Sequence, residues 1–317
     1  MVKSYKQLRE TAERKDRGLR EKVVSLSEAV SLIRDGDHVA AGGCHNSRTP
    51  MALVWEMIRQ KKKDIVYSRS ISSTEGDLLL VSEVSKHIMS SWFSAGVTWG
   101  VSRVMRHYTQ THLAVYEEWS HMSLGLRYRA GAQGIPFIPT RVMLGSDLMG
   151  RLPDVKEMDC PFTGEKLALI PALNPDVAIL HTQCCDAYGN VQSEGLPFMD
   201  EDIAIAADKV IVTTERIVSN DQVRRSPDRT SIPFLVVDAV VEVPYGCLPH
   251  ECYGIYGQDL KHQEYYVQMM MKEGPEGVKK YLEEFVYSPK SWNDFLEKLG
   301  FKNILQATMD GREVHND

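Results

Sequence analysis

The sequence has no hydrophobic run long enough to cross a membrane and no apolar segment near its start of the kind that directs secretion. We therefore expect a cytoplasmic protein that does not contact the membrane. Its 6 cysteines follow no regular spacing, which indicates reduced thiols rather than a disulfide framework. The net charge of -6 argues against nucleic acid as a partner, although it allows a small anionic ligand at a local arginine or helix N-terminus.

Linkers, internal repeats and low-complexity tracts are also missing from the sequence. Hydrophobic residues make up 43% of the 317 residues and charged residues 25%, as in ordinary globular proteins, so extensive disorder is excluded. Residues 1–22 are rich in Lys, Arg and Glu, which predicts a charged leader or arm, either free or lying against a partner subunit. Residues 23–317 are expected to form a single domain.

Apolar segments and turn residues alternate from Ser27 onward. The pattern predicts helices at residues 28–33, from Pro50 to residue 58, and at 199–208, the last with an acidic first turn. Buried strands are predicted at residues 39–41, 65–67, 86–91, 135–139, 177–181, 209–214 and 234–237. This alternation predicts an α/β fold, an open, mostly parallel sheet with helices on both faces.

A glycine turn between a predicted strand and a predicted helix is the strongest candidate for a ligand site. The strand at 39–41 runs into two glycines, and Pro50 suits the first turn of the helix that follows. Backbone N–H groups at such a turn can bind a carbonyl oxygen, a carboxylate or a phosphate. The same pattern also forms ordinary strand-to-helix turns with no ligand. The candidate binding residues are Gly42, Gly43, Cys44, His45, Asn46 and Ser47.

Hydroxyl and guanidinium groups elsewhere are suited to holding a carboxylate. Residues 68–74 follow a predicted strand and are rich in serine. The hydroxyls of Ser72 and Ser73 are candidates to hydrogen-bond a substrate carboxylate, and the alternative is a solvated loop. Arginine binds carboxylates through two parallel hydrogen bonds. The candidate arginines are Arg69, Arg103, Arg127, Arg129 and Arg141.

Three further groups of residues have side chains that could carry chemistry. Glu117 and Glu118 precede His121, and carboxylates beside an imidazole can transfer protons when they are partly buried, although most such clusters are helix faces. Glu194 lies in a polar turn and is interpreted as structural. The cysteines and histidine of residues 247–252 do not supply the four ligands of a structural zinc site, so we expect no metal.

Segments along most of the chain resemble the α subunits of family I coenzyme A transferases, in particular those of the glutaconate type. Residues 42–50 look like the GGFxxxxxP segment that opens these subunits, although Cys44 stands where the family often has an aromatic residue. Further similar segments follow in the same order at residues 136–139, 144–146, 176–181, 200–209, 237–241, 244–249 and 281–300.

The resemblance implies the α subunit of a heteromeric CoA-transferase, which moves CoA between an acyl-CoA and a carboxylic acid, expected to be a dicarboxylic acid. In that family a glutamate of the partner β subunit forms the glutamyl-CoA thioester. This chain would then supply one wall of a shared site, and the CoA thioester would be a substrate, with no permanently bound cofactor.

The resemblance also points to a related activity. Glu118, or Glu117 if the match is displaced by one residue, and Arg141 are similar to positions in the ring-cleaving CoA-thioester hydrolases of steroid degradation, which use an α-subunit glutamate. That similarity implies Glu118 as a catalytic base acting on a ring or β-keto thioester. A third alternative, from the residues alone, is a non-catalytic domain that binds a phosphorylated ligand at the glycine turn.

Overall fold

The computed structural model describes residues 2–96 and 99–313. The strands are β1 (His38–Ala41), β2 (Val66–Ser68), β3 (Ile71–Ser72), β4 (His87–Ser90), β5 (Trp92–Phe93), β6 (Val115–Glu118), β7 (Phe137–Thr140), β8 (Lys156–Asp159), β9 (Lys166–Pro171), β10 (Val177–Asp186), β11 (Val191–Gln192), β12 (Lys209–Val218), β13 (Thr230–Ile232) and β14 (Ala239–Glu242).

The helices up to residue 206 are α1 (Tyr5–Arg14), α2 (Leu26–Ser31), α3 (Met51–Arg59), α4 (Thr74–Val81), α5 (Arg103–Gln110), α6 (His121–Ala132), α7 (Asp147–Arg151) and α8 (Asp200–Ala206). The later helices are α9 (Asn220–Arg225), α10 (Leu260–Glu273), α11 (Pro275–Leu282), α12 (Trp292–Leu299) and α13 (Phe301–Glu313). A 3₁₀ turn at Pro227–Arg229 and a π-helical turn at Glu283–Tyr287 complete the helical segments.

Nine strands form one sheet, and the strand order β14-β12-β10-β1-β2-β4-β6 is parallel throughout. β11 pairs antiparallel with the end of β10, and β13 pairs antiparallel with β11. A separate antiparallel sheet contains β7, β9 and β8. The mostly parallel sheet that the sequence predicts is therefore confirmed.

Both faces of the large sheet are covered by apolar side chains. Val39 and Ala41 of β1 belong to one hydrophobic cluster, which includes residues of α3, α4 and α10. Ala40 faces the other way and belongs to a second cluster with residues of α6 and α8. Successive side chains of a strand point to opposite faces, so helices cover the sheet on both sides, as predicted.

Two predicted strands differ from the structure. Residues 234–237 form no strand, because Val236 N–H donates to the Pro233 carbonyl and Val237 N–H to the Phe234 carbonyl, which makes consecutive turns. The strand that pairs with β12 begins at Ala239 instead. The strand predicted at 135–139 lies at Phe137–Thr140, in the small antiparallel sheet rather than the large parallel one.

The charged N-terminal segment contains α1, a helix with no buried residue that begins with a capping box between Ser4 and Gln7. Lys3 pairs with Asp208 at 2.6 Å and Lys15 with Asp238 at 3.0 Å, so the arm lies against its own chain. Within the described residues, no helix is long and apolar enough to cross a membrane. The division into a leader at residues 1–22 and one domain at residues 23–317 remains a prediction. Residues 1, 97–98 and 314–317 of these two segments fall outside the described ranges.

Candidate active site

The carboxyl ends of four parallel strands meet at one edge of the large sheet. The chain leaves β1 at Gly42, β2 at Arg69, β4 at Ser91 and β6 at Trp119. Ligands of open parallel sheets bind at this edge, because the loops that follow the strands come together there. The segments predicted from sequence to bind substrate at 42–47 and 72–73, together with Glu118, lie on or beside these loops.

The glycine turn is shaped by close packing. Gly43 has φ +67°, and a Cβ there would lie 2.3 Å from the Ser47 carbonyl oxygen. A Cβ at Gly42 would lie 2.4 Å from Leu180 and 2.8 Å from a carboxylate oxygen of Asp200. Both positions therefore need glycine for the fold itself, whether or not a ligand binds.

The backbone donors predicted to bind a ligand are already engaged within the chain. Gly42 N–H donates to the Ile179 carbonyl, Cys44 N–H to Ser47 and His45 N–H to Ile71. Gly43 N–H donates to Asp200 Oδ1 at 2.8 Å. A ligand at this turn would meet the side chains of the loop, or would have to replace one of these bonds.

The start of α3 is likewise covered by the chain. Pro50 lies immediately before the helix rather than in its first turn, with φ −75° and ψ 61°. Ala52 N–H donates to the Gly246 carbonyl at 3.0 Å, so one of the donors at the helix N-terminus is satisfied internally. The sequence did not indicate that residue 246 would lie there.

A buried ion pair anchors the glycine turn. Arg48 Nη1 lies 2.6 Å from Asp200 Oδ2, and the two side chains are only 2% and 9% exposed. The other end of the Arg48 guanidinium donates to the Leu196 carbonyl at 2.7 Å. Asp200 thus holds both the guanidinium and the Gly43 amide, a role that the acidic start of α8 did not reveal in the sequence.

A second buried pair holds the turn against the serine loop. Arg69 donates to Glu75 at 2.9 Å, to Thr49 Oγ1 at 2.9 Å and to the Gly42 carbonyl at 3.1 Å. Arg69 and Glu75 are fully buried. Three of the N–H groups of Arg69 thus bind within the chain, and its role as a substrate clamp stays a prediction.

The other candidate arginines also have partners within the chain. Arg103 donates to the Met271 and Lys272 carbonyls, Arg127 pairs with Glu117, and Arg129 pairs with Asp202. Arg141 follows β7 on the small antiparallel sheet, is 72% exposed and pairs with Glu165 at 3.4 Å. No described contact joins Arg141 to the glycine turn, and its binding role stays a prediction.

The two candidate serines differ in their surroundings. Ser73 donates through its hydroxyl to Glu75 at 2.9 Å, and its N–H also faces that carboxylate. The Ser72 hydroxyl is buried and has no hydrogen-bond partner among the described residues. Ser73 is therefore part of the scaffold, whereas Ser72 keeps a polar group available.

Three more buried polar atoms have no hydrogen-bond partner within residues 2–96 and 99–313, and they lie in segments that form or touch the glycine turn. They are His45 Nε2, Asn46 Oδ1 and His250 Nε2. His250 reaches the turn through its other ring nitrogen, which lies 2.7 Å from Thr49 Oγ1. Buried polar groups are nearly always hydrogen-bonded, so this concentration of unsatisfied atoms marks the region as a candidate binding site.

The acidic segment separates into a structural and an available carboxylate. Glu117 accepts hydrogen bonds from His87, from Trp119 Nε1 and from Arg127. Burial would raise the pKa of Glu117, but these hydrogen bonds and the Arg127 charge lower it to about 2. Glu118 is exposed at the end of β6 and makes no hydrogen bond or ion pair with any described residue.

Glu194 and Cys44 complete the predicted set. Glu194 is 49% exposed and forms an ion pair with Arg229. Cys44 is a free, half-buried thiol, and its backbone forms a bridge with Ser47 across the turn. A pocket beside the glycine turn has a volume of about 330 Å³ and is lined by Ser47, Arg48, Gly195, Leu196, Phe198, Glu251 and Tyr253.

A sequence model of the coenzyme A transferases matches residues 23–243. This chain belongs to the coenzyme A transferase family. The A subunit of glutaconate CoA-transferase from Acidaminococcus fermentans is 33% identical to this CoA-transferase chain over 315 residues, which cover 93% of this chain and 98% of that polypeptide. The crystal structure of that enzyme matches with a TM-score of 0.85 at 32% identity, covering 90% of this chain and 94% of the other.

Two other relatives extend the comparison. An uncharacterized protein of Archaeoglobus fulgidus is 37% identical over 294 residues, and the match covers 92% of this chain but only 65% of that protein. The cholesterol ring-cleaving hydrolase IpdA subunit of Rhodococcus jostii is 29% identical over 270 residues, covering 78% of this chain and 87% of that polypeptide. The family, the fold and the enzyme class predicted from sequence are confirmed, with the hydrolase as the weaker match.

Proposed function

We propose that this chain is the α subunit of a heteromeric CoA-transferase that moves CoA between an acyl-CoA and a dicarboxylic acid. The observation that carries the proposal is the similarity to the A subunit of glutaconate CoA-transferase, which extends over 98% of that polypeptide. Glutaconate is a dicarboxylate, and this supports the same class of acid here. The partner would be a β subunit, in a heterodimer or a larger assembly.

The proposed reaction places the nucleophile on the β subunit. One of its glutamates attacks the thioester carbonyl and CoA thiolate leaves, which gives a mixed anhydride. The thiolate then attacks the glutamyl carbonyl, so that the first acid is released and a glutamyl-CoA thioester remains. The acceptor carboxylate then attacks the glutamyl-CoA thioester, and the same two steps take place in reverse. The exposed ion pair of Glu194 with Arg229 supports a structural rather than a nucleophilic role for this chain's own candidate.

This chain would contribute the wall formed by residues 42–47 and by Ser72, while Ser73 holds Glu75 in the scaffold. Burial lowers the pKa of His45, which favours a neutral imidazole near pH 7. A neutral ring can donate one N–H to a carboxylate or to the thioester oxygen. The unpartnered Ser72 hydroxyl supplies a second donor, and together they would stabilise negative charge that develops on an oxygen.

The alternative function is a CoA-thioester hydrolase with Glu118 as the base. It is favoured by the exposed position of Glu118 at the end of β6. At the neighbouring strand end, Ser91 Oγ lies 3.4 Å from His121 Nδ1. In that reaction Glu118 would activate water or remove a proton from a ring or β-keto thioester. Arg141, which is similar to a position in the ring-cleaving hydrolases, would bind the substrate.

Copurification with the β subunit followed by a CoA-exchange panel tests the proposal. The complex is incubated with acyl-CoA donors and with acetate, glutaconate and longer dicarboxylates as acceptors, and new thioesters are identified by mass spectrometry. We expect exchange by the complex and none by the isolated chain. Hydrolytic opening of a ring or β-keto acyl-CoA without any exchange would favour the hydrolase, and exchange by the isolated chain would contradict a β-subunit nucleophile.

A further inference from the structure

A buried cluster of two cysteines and a histidine lies directly behind the glycine turn. The Sγ atoms of Cys247 and Cys252 and one ring nitrogen of His181 all lie within 4.8 Å of one another. Both cysteines are free and fully buried, and His181 is 1% exposed.

The hydrogen bonds of His181 favour the doubly protonated ring. Nε2 lies 2.8 Å from a carboxylate oxygen of Glu215, and Nδ1 lies 2.9 Å from Thr213 Oγ1. The Thr213 hydroxyl donates its own proton to the Leu180 carbonyl, so it is left to accept from Nδ1. Both ring nitrogens are then donors, as in an imidazolium.

The charges around His181 agree with this protonation state. Glu215 also accepts from the Tyr256 hydroxyl and from the N–H groups of Tyr245 and Gly246, as an ionised carboxylate does. Burial would lower the pKa of His181, but the neighbouring Cys252 and Glu215 raise it to about 9. A hydrogen bond from Cys247 and the neighbouring imidazolium lower the pKa of Cys252 against the effect of burial.

The same arrangement is unsuited to a metal ion. A histidine ligand binds a metal through a ring nitrogen that carries no proton, and both nitrogens of His181 donate to oxygen acceptors. The ring is also clamped, since a Cβ added at Gly246 would lie 2.7 Å from His181 Cε1. Structural zinc takes four ligands, and this cluster offers three.

We propose that Cys252 and Cys247 form an oxidisable dithiol that reacts with hydrogen peroxide. The Cys252 thiolate attacks one peroxide oxygen, the O–O bond breaks, and hydroxide leaves, which produces a sulfenic acid. The Cys247 sulfur then attacks the Cys252 sulfur, and the sulfenic hydroxyl leaves with the Cys247 proton as water. The protein loses two electrons and two hydrogens, and peroxide is reduced to water.

Burial determines which oxidant is accepted. Neither thiol is exposed, so a small uncharged molecule is required, and a bulky charged disulfide such as oxidised glutathione is excluded. The pair also differs from Cys44 and Cys160, which are partly exposed. Selectivity for peroxide is therefore a consequence of the position.

Oxidation of Cys247 and Cys252 should change the candidate active site, because the backbone that carries them contacts the glycine turn. Residues 246–252 hold the glycine turn by three hydrogen bonds: Arg48 N–H to the Glu251 carbonyl and Glu251 N–H to the Asn46 carbonyl, both at 2.9 Å, and His250 to Thr49 at 2.7 Å. A disulfide fixes the two sulfur atoms about 2.05 Å apart. Drawing them together moves this segment, so oxidation should reduce activity reversibly.

The test uses the purified α–β complex treated with hydrogen peroxide or with oxidised glutathione, quenched by alkylation and digested. After peroxide treatment, mass spectrometry should show a peptide with a Cys247–Cys252 disulfide, 2 Da lighter than the dithiol form. Treatment with oxidised glutathione should not produce this disulfide. Cys247→Ser should leave a sulfenic acid on Cys252, which dimedone traps when it is added together with denaturant. Cys160→Ser is the control and should form the disulfide normally.

Two outcomes would overturn the proposal. In the first, the protein is treated with peroxide, unfolded and alkylated, and Cys247 and Cys252 are alkylated as completely as in untreated protein, although Cys44 or Cys160 is oxidised. The other is one zinc ion per chain in the purified complex, with Cys247 and Cys252 protected until a chelator is added. The mass measurement does not depend on the proposed function. Loss of CoA exchange on oxidation, and its recovery with dithiothreitol, does rest on that function.

Discussion

Asp200 Oδ2 accepts a 2.6 Å hydrogen bond from Arg48, and Oδ1 of the same carboxylate accepts the Gly43 amide at 2.8 Å. One side chain from the start of α8 therefore fixes both ends of the glycine turn. Arg48 has φ 50°, an uncommon backbone conformation for a residue other than glycine. The ion pair holds Arg48 in this conformation, although Asp200 is 152 residues away in sequence.

Asp200→Asn should lower the free energy of unfolding by roughly 3 kcal/mol, because Arg48 would keep a buried charge without its counterion. The matched control is Asp202→Asn, which removes the more exposed pair with Arg129 and should cost at most about 1 kcal/mol. Urea denaturation of both variants measures the difference. Equal losses would mean that the Arg48 pair contributes no more than a surface pair.

Gly43→Ala should destabilise the protein by about 2 kcal/mol more than Gly36→Ala. Both glycines have positive φ, so both variants carry the left-handed backbone penalty of about 1 kcal/mol. Only at Gly43 does the new Cβ collide with backbone, whereas nothing lies within 4 Å at Gly36. Thermal and urea unfolding compare the two, and similar stabilities would contradict the close packing at residue 43.

Ser72→Ala and Ser73→Ala should separate binding from scaffold. Removing the unpartnered Ser72 hydroxyl should leave stability within about 0.5 kcal/mol and lower kcat/KM on the order of tenfold, the effect of one lost hydrogen bond to substrate. Ser73→Ala deprives the buried Glu75 of a donor and should cost about 1–2 kcal/mol of stability. Unchanged kcat/KM in Ser72→Ala would remove Ser72 from the site.

The pH dependence of stability should reveal the contribution of the partly buried Glu117 carboxylate. Its pKa in the folded protein is about 2, below the ordinary value of 4.5, so its contribution is present above pH 4.5 and is lost as the pH falls toward 2. Urea unfolding of the wild type and of Glu117→Gln between pH 7 and pH 3 measures this contribution. The stability difference between the two proteins should shrink as the pH falls, and a constant difference would contradict the lowered pKa.

The sequence predicts the central strands of this fold well because they are buried on both faces. Their apolar runs at 39–41, 177–181 and 209–214 need no knowledge of the neighbouring strands. The segment at 234–237 is equally apolar but follows Pro233, and its turns put Val237 in the core without a strand. Hydrophobicity thus indicates burial more reliably than it indicates strand pairing.

The site was harder to predict because its polar groups pair over long distances. Arg69 has the chemistry of a carboxylate clamp, and only the fold shows that Glu75 already occupies it. A signal existed, since Glu75 and Asp77 stand in a helix that is otherwise apolar and so required buried partners. The spacing of Cys247 and Cys252 suggests the adjacent His250 as their partner, whereas the fold places His181 from β10 beside them.

Glu118→Gln should distinguish the transferase from the hydrolase in the α–β complex. If a β-subunit glutamate carries the acyl group, the loss of Glu118 should lower turnover only modestly, and borohydride should still inactivate the complex in the presence of acyl-CoA by reducing the glutamyl thioester. If Glu118 is the base, an amide in its place should cost on the order of a hundredfold or more, and no thioester should form.

The control for this experiment is Glu157→Gln, an exposed carboxylate on the small antiparallel sheet, which should leave turnover unchanged. Because Glu118 is exposed and makes no described hydrogen bond, its replacement should also leave the free energy of unfolding unchanged within about 0.5 kcal/mol, so any loss of rate is a chemical effect. We expect the modest loss with a trappable thioester, in line with the greater similarity to the glutaconate enzyme. An inactive Glu118→Gln complex with normal stability and no borohydride-sensitive intermediate would assign the reaction to the hydrolase instead.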